Sequence, residues 1–212
     1  MLFDFELSKL EKTKEIITNL INFPELKTES VFQDYISKII CLIFPKYLYA
    51  FREIPLKGID RDKRPDFMMV DHQGFVDVLE IKKPNFNLLS SHLYRNNYVP
   101  STDLSGTCQQ VEKYILCLNH YADDFESQPP KVITSILKSN NSELKLKINN
   151  PKGIIIAGRD KFFSENKQQL YDFELIRRQH KNIIDIITYD DLIRRLENSI
   201  NFLKQRRSDS YH

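Results

Sequence analysis

Helical and strand-like spacings of apolar residues succeed one another along the chain. Leu7, Leu10, Ile17, Leu20 and Ile21 recur at roughly helical intervals and predict an amphipathic helix over 4–22. Pro24 interrupts that pattern. Thr28-Glu29-Ser30 opens a second helix, which Phe32, Tyr35, Ile36, Ile39, Ile40 and Leu42 carry to about Phe44, ahead of Pro45. From Tyr47 to Ile54 the period shortens to that of a strand. Two apolar runs follow, Phe67–Val70 and Phe75–Leu79. Between them Asp71-His72-Gln73-Gly74 carries the Asp and Gly that suit a β-turn. Residues 83–106 are polar and without clear periodicity, and loops of that length in a compact domain tend to be functional or mobile. A helix is expected from Ser105 or Gly106 to about Tyr121, burying Val111, Tyr114, Ile115 and Leu118. Lys131–Leu137 reads as an edge strand and Leu144–Ile148 as a strand with one wet face. Gly153–Ala157 is a continuous apolar run, typical of a buried strand. A helix over 164–180, a strand over 183–187 and a helix over 190–203 complete the pattern. The alternation in the second half argues for an α/β fold, a mixed sheet with helices on both faces.

The chemistry concentrates at the ends of the two apolar runs. Paired as an antiparallel hairpin, they bring Asp66 and Glu80 side by side. Two carboxylates at close quarters repel, which raises one pKa unless a cation lies between them. Mg²⁺, or Mn²⁺ as a substitute, suits such an oxygen site. Lys82 lies two residues past Glu80 and so on the same strand face. Its ammonium can stabilise charge developing on a phosphate or orient an attacking water. A structural ion pair with Asp66 or Glu80 is the plainer alternative for Lys82. The set points to metal-dependent phosphodiester hydrolysis.

Other residues divide by position. Lys83 alternates to the opposite face. Tyr94-Arg95-Asn96-Asn97-Tyr98 interleaves aromatic rings with cationic and hydrogen-bonding groups, as a nucleic-acid contact would or as an ordinary surface loop can. Arg95, Tyr98, Lys83 and Arg159 are the candidate phosphate contacts. Asp77 fits a solvent-facing strand position, and the acids of Tyr189-Asp190-Asp191 fit a helix N-terminus.

Pro65-Asp66, with Glu80-Ile81-Lys82 after the hairpin, matches the pattern of the PD-(D/E)XK nuclease superfamily. The resemblance sharpens along the chain. Lys82-Lys83-Pro84 is followed by Ser101-Thr102-Asp103-Leu104-Ser105, then Gln110-Val111-Glu112-Lys113-Tyr114. Gly153 to Arg159 and Thr188-Tyr189-Asp190-Asp191-Leu192 come later. That ordered series resembles the nuclease domain of the Shedu family of bacterial anti-phage defence proteins. The resemblance implies a restriction-endonuclease-like core over 26–204, with a helical extension over 1–25 and a basic tail over 205–212. It implies that the Ile81 backbone carbonyl joins the metal ligands and that Glu29 stands beside the metal, although Glu29 also suits a helix N-terminus. It implies that a glutamine on the helix after Lys82 extends the site. Gln109 competes for that role, and the spacing Gln-Val-x-x-Tyr selects Gln110. DNA as substrate, a homo-oligomer and a role against phage are further implications. A restriction or repair nuclease and a non-cleaving binding module remain alternatives.

Bulk properties narrow the class. A chain of 212 residues, 41% hydrophobic and 28% charged, suits one folded domain. The net charge of +2 does not announce a polyanion partner, though Arg61, Lys63 and Arg64 form one local basic cluster and Arg177-Arg178, Arg194-Arg195 and Lys204 to Arg207 form others. Three cysteines without a CxxC pair favour a reducing, cytoplasmic setting, and scattered histidines argue against a zinc cage. No signal peptide or membrane span is visible. No glycine-rich phosphate loop is present, and no organic cofactor is expected.

Overall fold

The hairpin expected at Phe67–Leu79 forms the middle of a five-stranded sheet in the computed structural model of the protein, which describes residues 2–22, 24, 27–163 and 165–209. The strands are β1 (Tyr47–Arg52), β2 (Phe67–Asp71), β3 (Val76–Ile81), β4 (Gly153–Ile156) and β5 (Ile184–Ile187), side by side in chain order. β1, β2 and β3 run antiparallel, and β3, β4 and β5 run parallel. The mixed sheet is flanked by helices on both faces, the α/β arrangement of a restriction-endonuclease-like core.

The turn sets the register. Asp71 Oδ1 accepts the amides of Gln73 at 2.9 Å and Phe75 at 3.0 Å, an Asx arrangement that starts the reversal. Gly74 has φ +92°, and a Cβ there would lie 2.0 Å from the Lys145 carbonyl oxygen. Only glycine fits. Phe67 then faces Leu79, which places Asp66 and Glu80 one step further along, at the open end.

Strand alternation sorts the core into two layers. Met68, Val70, Val76, Val78, Ile155 and Ile186 face one side. There they meet α3 (Thr102–His120), α5 (Lys131–Ser139) and α6 (Lys167–His180) through Val111, Ile133 and Phe173. Phe67, Met69, Leu79, Ile81, Ile154 and Ile156 face the other. They meet α1 (Leu2–Ile21), α2 (Glu29–Ile43) and α7 (Tyr189–Asp209) through Ile17, Phe32 and Leu192. A short α4 (Ala122–Ser127) follows α3. Each fully buried side chain of this kind is worth about 1.5–3 kcal/mol, and every residue of β2 and β3 is buried, so the hairpin is firmly anchored. Lys14–Glu197 at 2.7 Å and Lys204–Glu11 at 2.8 Å link α1 to α7.

Four expectations need correction. Lys131–Leu137 is part of α5, a helix, because Ile133 and Leu137 are both buried one turn apart. Leu144–Ile148 forms no strand and contributes only an isolated bridge between Phe75 and Lys147. The helix expected at Ser105 begins at Thr102, where the Ser101 side chain caps it by accepting the Leu104 amide. Asp77 is buried, for reasons given below. The irregular loop contains a small hairpin closed by Tyr94 and Asn97, with Arg95 and Asn96 at positive φ. Cys41, Cys108 and Cys117 are free, and Cys41 is only half-buried. Residues 205–209, read as tail, continue α7, while 210–212 lie outside the described residues. Among the described residues no helix is long and apolar enough to cross a membrane.

Candidate active site

Asp66 and Glu80 occupy the open end of the β2–β3 hairpin. Asp66 Oδ2 accepts the Ile81 amide at 2.7 Å, so the neighbouring strand itself grips the carboxylate. Glu80 is 2% exposed, and its Oε2 is buried without a hydrogen-bond partner. Burial, then the charge of Glu80, pushes the Asp66 carboxyl up to about 7. Burial likewise raises Glu80, against the pull of Lys82. The protein has gathered more negative charge here than its own groups satisfy.

Lys82 is the cation of the site. It sits just past β3 on the Glu80 side, as alternation requires, and its Nζ donates to Glu80 Oε1 at 2.8 Å. Glu29 Oε1 lies 3.4 Å from the same nitrogen. Burial works to lower the Lys82 pKa, but the Glu80 carboxylate outweighs it and the ammonium is held charged. The Lys82 carbonyl accepts the Tyr189 hydroxyl at 2.9 Å. Tyr189 is wholly buried and stands edge-on to Phe32 at 6.0 Å, so the backbone around the lysine is tied into the core between α2 and α7.

Two helices close the site. From α2, Gln33 Nε2 donates to Asp66 Oδ1 at 2.8 Å, while Gln33 Oε1 accepts Arg52 Nη2 at 3.1 Å. Sequence reasoning missed Gln33, although it lies one helical turn past Glu29 and therefore on the same face. From α3, Tyr114 reaches towards Glu80, and burial followed by the Glu80 charge raises its phenol pKa. The Tyr114 hydroxyl donates to the Arg64 carbonyl at 3.2 Å and accepts the Gln110 side-chain amide. Gln110 thus stands on the site through Tyr114. Gln109 is exposed on the same helix.

The remaining residues named from sequence sit as follows. Ile81 enters the site through the amide that Asp66 accepts. Lys83 is half-buried and its carbonyl accepts the Gly158 amide at 3.2 Å. Arg159 is engaged by Asp190, with Nη2 to Oδ1 at 2.6 Å and Nε to Oδ1 at 3.0 Å. Asp190 therefore answers an arginine, whereas Asp191 caps α7 by accepting the Thr188 amide at 3.0 Å. Arg95 is exposed and lies over the Tyr94 ring at 5.5 Å. Tyr98 is held against α6, its amide donating to Asp172 Oδ2 at 2.8 Å. Asp77, expected at the surface, is 4% exposed on the α2 side of the sheet. Lys46 Nζ at 2.8 Å, the Tyr47 hydroxyl at 2.7 Å and the Lys152 amide at 2.6 Å satisfy it.

These residues fit a divalent cation. An unpartnered buried carboxylate oxygen beside a second, proton-hungry carboxylate is the donor chemistry that Mg²⁺ and Mn²⁺ take. Among the described residues no three Asp, Glu, His or Cys side chains converge as a ligand cluster, so the side-chain ligands available to such a cation would be the acidic pair.

A family model described as the C-terminal region of the Shedu protein SduA matches residues 26–193, which includes the whole sheet and both carboxylates. No curated protein gives a significant match to the chain.

Proposed function

The chain belongs to the Shedu family, and from that premise we propose that it is a metal-dependent DNA endonuclease of the PD-(D/E)XK type, serving bacterial defence against phage. One observation carries the chemistry: half-buried Asp66 and buried Glu80 stand together, with a Glu80 oxygen unsatisfied and a charged lysine 2.8 Å from the other. The defence role rests on family membership.

Asp66 and Glu80 would hold Mg²⁺, with the Ile81 carbonyl as the backbone ligand and Glu29 beside it. When bound, a divalent cation supplies concentrated positive charge for the phosphate and acidifies water. The chain's own groups do the rest. The Ile81 and Gln33 amides fix the Asp66 carboxylate, so its orientation is set before substrate arrives. Lys82, held as an ammonium, meets the negative charge that grows on the phosphate in the transition state. Gln110 gives its amide N–H to Tyr114, which leaves its carbonyl oxygen to receive a proton-bearing water and aim it. In-line attack by that water forms one P–O bond as another breaks, leaving a phosphate monoester on one DNA end and a hydroxyl on the other.

The substrate is DNA, recognised mainly through its phosphates, and the working unit is a homo-oligomer. Incubation with linear, nicked and supercoiled DNA in Mg²⁺, Mn²⁺ or EDTA tests the reading. Cleavage that requires the metal and disappears in Lys82→Ala is expected. Tight DNA binding without cleavage in any form would return the protein to a non-cleaving binding module.

A further inference from the structure

One basic surface lies against the acidic pair and is not used by the chemistry above. The segment before β2 and the outer face of α3 form the walls of a groove of about 520 Å³. Arg61, Lys63 and Arg64 line one wall, and Gln109 and Lys113 line the other. The groove opens onto Gln110 and Tyr114, and Tyr114 in turn lies close to Glu80. Lys63 is paired with Asp60 at 3.2 Å. No ion pair holds Arg61, Arg64 or Lys113 among the described residues, and all three are exposed. On a chain with net charge +2, three unpaired cations on one groove form a local field that the overall balance hides.

The segment that carries the arginines is braced. Leu56 and Lys63 exchange backbone hydrogen bonds at 2.8 and 2.9 Å, and the Arg64 carbonyl is tied to Tyr114. Cations on a fixed frame lose less freedom on binding than cations on a loose loop.

Gly106 supplies an independent observation. It stands inside α3 on the groove wall, where glycine costs a helix about 0.5–1 kcal/mol relative to alanine. Nothing in the fold asks for it, since a Cβ at that position meets no atom within 4 Å. Its φ is not in the left-handed region. A bare helix face beside unpaired cations suits a backbone that must approach closely from outside.

We propose that this groove is the track for the DNA sugar–phosphate backbone leading away from the cleavage site, with Arg61, Arg64 and Lys113 on phosphates and Gly106 leaving room for the strand against α3. The proposal rests on the nuclease reading and adds the path of the substrate to it. Phosphate contacts position the duplex and carry no sequence choice, so the track predicts sequence-independent, salt-sensitive binding.

The test is fluorescence anisotropy of a labelled duplex in Mg²⁺ on the cleavage-deficient Glu80→Gln background, across a series of salt concentrations. Arg61→Gln combined with Lys113→Gln is expected to weaken binding and to reduce the slope of log K against log salt by about 0.9 per lost contact. Gly106→Leu is expected to weaken binding on the order of tenfold, the loss of about one good contact. Its melting temperature should be unchanged or higher, which separates a blocked track from a damaged fold. Wild-type protein is assayed for cleavage in parallel. Affinity and salt slope that match the parent in both variants, with wild-type cleavage intact, overturn the track and leave the nuclease reading standing. A parent that does not bind and a wild type that does not cleave overturn both.

Discussion

Gln33 donates its side-chain amide to Asp66 Oδ1 at 2.8 Å, and Arg52 holds the other end of that amide at 3.1 Å. Arg52 can only donate, so it decides which end of the glutamine faces the carboxylate. A residue on α2 therefore sets the orientation of a carboxylate at the entrance to β2. Removing such a partner commonly costs about 10–100-fold in metal affinity or activity. Gln33→Ala should raise the Mg²⁺ concentration for half-maximal cleavage by about that factor, with the rate recovering at saturating metal. A lower rate with an unchanged Mg²⁺ requirement would mean that Gln33 matters only for the fold.

Asp66 is a cost to the metal-free fold. Burial and the neighbouring Glu80 both oppose its charge. Asp66→Asn removes that charge, but both carboxylate oxygens accept, from Ile81 and from Gln33, so the new amide sets a donor against one of them. In EDTA the variant should gain stability relative to wild type as pH rises through about 7, where wild-type Asp66 must ionise within the fold, while losing cleavage throughout. A stability difference that is constant with pH would show that the buried charge is no cost to the fold.

Asp77 shows the opposite balance. Its three partners satisfy it fully inside the sheet's other face. Asp77→Ala strands the buried Tyr47 hydroxyl, at about 1–3 kcal/mol for a donor left buried and unpaired, and also removes the acceptor of the Lys152 amide. Urea unfolding should register the loss, and cleavage per folded molecule should stay at the wild-type level. A fall in turnover at full folding would connect Asp77 to the reaction.

Asp191 makes stability acid-sensitive. Burial works to raise its carboxyl, but the Thr188 amide, Arg194 and Arg177 together bring it below its ordinary value. The folded pKa lies below the unfolded one, so this contribution is complete above the unfolded value of about 3.9. It is lost as pH falls through the lower folded value. Asp191→Asn should therefore be less stable than wild type near neutrality, with the gap closing as the pH is taken down to about 2. A gap that is constant with pH would remove the carboxylate's charge from the account.

The hairpin was legible because its rules are local. The Asp and Gly of Asp71–Gly74 mark the turn, alternation places Lys82 on the Glu80 side, and the register follows. Residues whose partners lie far away were harder. Gln33 and Asp66 are separated by 33 positions, and nothing short-range marks the pair. Asp77, an acid within a strand, suits an outward position by its charge, but helices cover both sheet faces and the buried charge survives through Lys46, Tyr47 and the Lys152 amide. Lys131–Leu137 is rich in β-branched residues and mimics a strand, but the burial of Ile133 and Leu137 on one helical face decides the matter. Arg159, picked for its charge, is committed to Asp190. Charge can be read from sequence, but whether it is already paired cannot.

The measurement that bears most directly on the central claim is the rate of nicking or linearising supercoiled DNA by wild type, Glu80→Gln and Lys82→Ala across a Mg²⁺ titration, with each protein's folding checked by thermal melting. The account predicts metal-dependent cleavage by the wild type, and a loss of at least about 100-fold in both variants, the scale of removing one preorganised transition-state contact. Folded variants that cleave at the wild-type rate, or wild-type cleavage that persists in EDTA, would contradict it.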